Sequence, residues 1–154
     1  EAVEMMAKIA KTTENWRSRT KWGLDTIIKG IMEREMSVDE VITLQVHEAL
    51  QKLPVAAVLT PTRSGATPRR ISRFKPDTWI LAFSRVPRTC GFLTLSYGVY
   101  PVLVKETIES WEKEATEKAK KLEFVKSGDI VVFTQGPSLG KPGGTNMLKI
   151  LTLE

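Results

Sequence analysis

The sequence predicts an α/β fold in three layers, a five-stranded, mostly parallel sheet with helices on both faces. Three observations lead there. Short continuous apolar runs, such as Val55 to Leu59 and Ile130 to Phe133, read as strands buried on both faces. Helix-like stretches separate the first four of these runs, as crossovers between parallel neighbours require. Ahead of the last run, Gln135 to Gly144 carries four glycines and two prolines without a helical pattern, so the fifth strand is expected to return antiparallel beside the fourth.

Taken in order, Glu1 to Trp22 reads as an amphipathic helix, with Val3, Met6, Ile9, Ala10 and Thr13 recurring at spacings of three and four. Gly23 follows, then a weakly patterned stretch from Leu24 to Met36. Ser37-Val38-Asp39-Glu40 has the arrangement of a capping box and starts a helix that runs to Leu53, where Pro54 stops it. Val55 to Leu59 is the first strand. Ala66 to Phe74 is a short helix, Trp79 to Phe83 the second strand, and Pro87 to Tyr97 a helix closed near Gly98. Phe74, Trp79 and Phe83 are expected in the core. Val99 to Val104 is the third strand, and Thr107 to Phe124 a helix laced with Glu and Lys, its charges marking a wet face and Trp111 packing inward. Ile130 to Thr134 and Met147 to Leu153 complete the sheet.

At 154 residues, 42% hydrophobic and 27% charged, the chain suits one water-soluble domain with a real core. Cys90 is the single cysteine, which excludes an internal disulfide and is expected to be buried. His47 is the single histidine, which excludes multi-histidine metal sites and leaves little for a histidine-based triad; a packed or capping role is expected. No apolar run approaches the ~20 residues that span a bilayer, and no signal-peptide pattern is present, so a cytoplasmic location without membrane contact is expected. The chain opens at Glu1 without methionine, which suggests a piece of something longer.

Charge is uneven. Between Thr60 and Cys90 seven basic residues face one acid, Asp77, and this region carries the net positive balance of the whole chain. A basic patch can attract nucleic acid, but sparse aromatic interleaving argues against that reading. The same region holds Thr60-Pro-Thr-Arg-Ser-Gly-Ala-Thr-Pro-Arg-Arg70, placed directly after a strand and before a helix. There backbone N–H groups and the hydroxyls of Thr62, Ser64 and Thr67 can meet an anion, with Gly65 supplying the turn and a nearby arginine the charge. The bland alternative is an ordinary strand-to-helix turn. A second Gly-rich segment follows the fourth strand; it is no Walker A loop, since Pro142 follows Lys141 where Ser or Thr is required. Lys141, Gly143, Gly144 and Thr145 suit either a flexible hairpin or a second contact to phosphate or hydroxyls.

Four segments carry a family resemblance: Glu1 to Glu14, Val55 to Ser84, Gly98 to Val104 and Ser127 to Ile150. Together they resemble the C-terminal domain of pyruvate kinase, preceded by the last helix of its catalytic barrel. The resemblance implies a barrel-derived helix over 1–22 and the α/β domain over 23–154. It also implies strand order 3-2-1-4-5 with the last strand antiparallel. In that order both Gly-containing loops leave strands at the switch point, where open α/β sheets bind ligands.

The resemblance further implies an allosteric domain that binds a small phosphorylated effector, a sugar phosphate such as fructose 1,6-bisphosphate or a nucleotide monophosphate, and that joins a homo-oligomer. Thr62, Arg63, Ser64, Gly65 and Thr67 match the loop that wraps a phosphate; Lys141, Gly143 and Gly144 fall in the loop that closes over the ligand. That closing loop departs in length and composition from bisphosphate-regulated members. Such members also carry a Trp and an Arg near the segment before strand four, for which Trp111 is only a loose counterpart. Conversion of phosphoenolpyruvate and ADP to pyruvate and ATP, with Mg²⁺ and K⁺, belongs to the barrel of the full enzyme, so no catalytic residue and no cofactor is expected in this chain. A stand-alone phosphate-binding protein or enzyme on the same fold is the alternative.

Overall fold

A computed structural model of the chain describes residues 1–20, 28–30, 33–105, 108–137 and 144–154. It divides into two compact units, Glu1–Met36 and Ser37–Glu154. The first unit holds helix α1 (Ala2–Thr20), whose Val3, Met6 and Ile9 are exposed. Within the stretch Leu24 to Met36, residues 24–27 and 31–32 lie outside the described residues.

The second unit begins with α2 (Val38–Lys52). Glu40 reaches back to accept from the Ser37 N–H at 3.0 Å, as the sequence predicts, while the Ser37 hydroxyl donates to Asp39 Oδ1. Then follow β1 (Val55–Pro61), α3 (Ala66–Ser72), β2 (Trp79–Ser84), α4 (Pro87–Leu93), β3 (Val99–Leu103), α5 (Trp111–Lys121), β4 (Ile130–Gln135) and β5 (Met147–Thr152). The sheet order is β3-β2-β1-β4-β5, parallel throughout except for the antiparallel β4–β5 pair. Fold and order therefore agree with expectation.

Burial on both faces explains why the central strands are continuously apolar. Ala57, Leu59, Leu81, Phe83, Val131 and Phe133 point to one side, where Ala115 and Ala119 of α5 meet them. Their alternates Val58, Ile80, Ala82 and Val132 point to the other, against Val46 of α2, Ile71 of α3 and Leu93 of α4. Two small alanines let α5 lie close to the sheet. His47 is buried and stacks on Phe74 at 4.8 Å between ring centroids, the packed role the sequence suggests.

Two burial expectations are corrected. Trp79 is half exposed because it opens β2 at the end of the sheet away from the Gly-rich turns, where it meets Phe124 edge-on. Cys90 is partly exposed rather than buried, since α4 ends at Leu93 and turns only that leucine fully into the core. No described helix is long and apolar enough to cross a membrane.

Candidate functional site

Strand β1 delivers the chain to the C-terminal edge of the sheet, where its neighbour β4 also ends; the switch point lies between them. Beyond Pro61 the turn is held from three directions. The Thr62 N–H donates to the carbonyl of Phe83 at 2.8 Å, which fastens the turn to the end of β2. Thr62 Oγ1 accepts from the Gly65 N–H at 2.9 Å, so the loop closes on itself. Thr89 Oγ1 of α4 donates to the carbonyl of Arg63 at 2.8 Å.

Gly65 adopts φ +78, a left-handed conformation that favours glycine. A Cβ there would also stand 3.1 Å from Leu93 Cδ2, so α4 is packed against the turn closely enough to use the missing side chain. Arg63 and Ser64 are left exposed at the crest, while Thr62, Gly65 and Thr67 are buried beneath them. Thr62, having accepted from Gly65, keeps its own O–H to donate to a ligand.

Above the turn is a hollow of 230 Å³ lined by Thr62, Arg63, Arg85, Val86 and Trp111. Three elements build it. The turn supplies Thr62 and Arg63, the segment after β2 supplies Arg85 and Val86, and the first residue of α5 supplies Trp111. Two guanidinium-bearing residues, a hydroxyl and an indole on one small concavity favour an anion carrying an adjacent apolar or ring surface.

The predicted residues are not all gathered there. Thr67 lies behind the hollow, its hydroxyl 2.5 Å from that of Thr145. That contact ties the described end of the second Gly-rich loop to the first turn, and the Asn146 N–H closes onto Gln135 at 3.2 Å. Gly144 passes so near Gly136 that a Cβ on Gly136 would fall 2.4 Å from the Gly144 carbonyl oxygen. Lys141 and Gly143 lie outside the described residues. Thr60 and Thr134, at the ends of β1 and β4, are fully buried beneath the two loops, with hydroxyls that have no hydrogen-bond partner among the described residues.

Sequence reasoning overlooked Arg85, Val86 and Thr89 and gave Trp111 only a packing role. Arg85 carried a usable signal, a cation directly after an apolar strand in the basic region. Cys90, next to Thr89, has its thiol pushed up by burial, which disfavours the thiolate and with it nucleophilic use at neutral pH. Among the described residues no group of three or more His, Cys, Asp or Glu could hold a metal ion.

The fold is an open α/β sheet with a small cationic hollow beyond the carboxyl ends of β1 and β2. The profile of the family described as pyruvate kinase, alpha/beta domain, matches residues 40–151, and the chain belongs to that family. It is 45% identical to a pyruvate kinase of Thermococcus litoralis over 99% of this chain and 32% of that protein. It is 33% identical to one of Clostridium acetobutylicum over 100% of this chain and 32% of that protein. A pyruvate kinase of Geobacillus stearothermophilus is 31% identical over 97% of this chain and 25% of that protein. The chain thus spans a third or less of the length of these relatives.

Proposed function

We propose that this chain is the C-terminal regulatory domain of a pyruvate kinase and that the hollow at Thr62, Arg63 and Trp111 binds a small phosphorylated effector. The observation that carries the reading is the convergence of three separate elements on one cationic hollow beyond the carboxyl ends of β1 and β2. A volume of 230 Å³ is below the usual range for a whole drug-sized ligand, so these walls hold one phosphate end and part of a sugar or nucleoside. Arg63, Thr62 and Ser64 would meet the phosphate, and Gly65 and Thr67 hold the turn in shape. Lys141, Gly143 and Gly144 would belong to the loop that covers the remainder.

In this reading helix α1 ends the catalytic barrel of the same protein, which moves a phosphoryl group from phosphoenolpyruvate to ADP in the cytoplasm. Mg²⁺ and K⁺ would serve that barrel. The domain regulates and does not react. It also contributes to a homo-oligomer, for which β5 is one available edge: among the described strands it pairs with β4 alone, and Met147 and Ile150 are exposed along it.

Calorimetry and thermal unfolding with fructose 1,6-bisphosphate, a sugar monophosphate and AMP test the binding. One of them is expected to bind saturably and, at a hundredfold excess over its Kd, to raise Tm by about 5–10 °C. Arg63→Ala is expected to weaken that ligand about tenfold while leaving unliganded Tm unchanged, since its side chain is exposed. No saturable binding by any of the three, or an Arg63→Ala variant that binds as well, removes the assignment.

A further inference from the structure

A second hollow of 510 Å³ lies along the outer flank of α3, and it shares no lining residue with the first. Its walls include Arg69, Arg70, Arg73 and Lys75 on one side and Leu95 and Tyr97 on the other, with no carboxylate among the lining residues. Arg70 is engaged, paired with the buried carboxylate of Asp39. The other three cations have no acidic partner among the described residues.

Two of these three cations lie against aromatic rings. The Arg69 guanidinium lies 4.9 Å above the Phe92 ring and the Lys75 ammonium 5.9 Å from the Tyr97 ring. Arg69 lies in the last turn of α3 and Arg73 is the residue that caps it, four positions on. The two walls are fastened together, because Ser72 Oγ donates to the Tyr97 carbonyl at 2.7 Å. Lys75 itself sits at φ 47, in the left-handed region where glycine would be favoured. The chain therefore keeps a lysine where the backbone prefers the residue without a side chain.

We propose that this hollow is a second anion site, which takes a linear oligophosphate of three or more phosphoryl units. Three cations lining one hollow, two of them steadied by aromatic rings, match successive phosphates of one chain, and the volume lies within the range of small-molecule sites. The chain could be free inorganic oligophosphate or the tail of a nucleotide, since the cations would read the same groups in both.

Calorimetry on the whole chain at fixed physiological salt tests it, with inorganic triphosphate as probe, orthophosphate as control and adenosine triphosphate to identify the source. Saturable triphosphate binding is expected, well ahead of orthophosphate, and weakened about tenfold by Arg73→Ala and by Lys75→Gly. Lys75→Gly separates binding from folding, because it relieves the backbone and should hold or raise Tm. Arg63→Ala should leave triphosphate affinity unchanged. Adenosine triphosphate binding more tightly than triphosphate would assign the nucleotide tail, and equal or weaker binding the free chain. Triphosphate affinity untouched by Arg73→Ala and Lys75→Gly, or lost in Arg63→Ala, would overturn the proposal.

Discussion

The turn after β1 and the stems of the loop after β4 reach the same edge of the sheet, yet they are fixed by different means. The first is held by its own short-range chemistry, Gly65 closing onto Thr62, with Phe83 and Thr89 as outside anchors. The described stems of the second are set by backbone proximity, Gly136 against Gly144, and by one hydroxyl contact from Thr145 to Thr67. The difference teaches why one loop can be read from eleven consecutive residues and the other only with its neighbour in place.

The largest test of this contrast removes what steadies the first turn from behind. Asp39 is buried and pairs with Arg70, which locks α3 to α2. Asp39→Ala leaves that guanidinium without its anion and is expected to cost about 3 kcal/mol in chemical denaturation. Loosened binding at the Arg63 hollow should accompany it, because α3 carries the turn's far end. Unchanged stability would show that the turn stands without this support.

Next come the two glycines. Gly136→Ala drives a Cβ to within 2.4 Å of a backbone oxygen, which cannot swing aside, so a loss of about 2 kcal/mol is expected. Gly65→Ala meets side chains rather than backbone, Leu93 at 3.1 Å and Thr89 at 3.4 Å, which can yield, and its loss of about 1–2 kcal/mol comes mainly from the left-handed backbone. Denaturation of both variants should rank them in that order; the reverse would mean that the turn, not the stems, is the less forgiving region. Smallest is Thr67→Val, which deletes the hydroxyl contact to Thr145 between the regions, for about 1 kcal/mol by the same measurement.

Much of the fold was legible because its determinants are local. Val58 and Leu59 face opposite cores, which is why the strand that carries them is an unbroken apolar run. Strand order was not legible from periodicity and came from family resemblance. Helix ends misled: α4 stops at Leu93 instead of Tyr97, its last turn drawn into tighter bonds from Leu95 to Phe92 and Ser96 to Leu93. Within the candidate site, Thr62 and Arg63 were readable from the turn itself. Trp111 was not, since it reaches the hollow from the far side of the sheet and nothing in its neighbourhood signals the encounter.

The ion pair of Asp39 with Arg70 has one more consequence, for where the chain can be cut. Asp39 is the third residue of the unit Ser37–Glu154, so the clasp lies wholly inside that unit and close to its first residue. Proteolysis ahead of Ser37 would release a fragment with its own fastening intact, whereas a cut only three residues later would discard the carboxylate and leave Arg70 with nothing to grip.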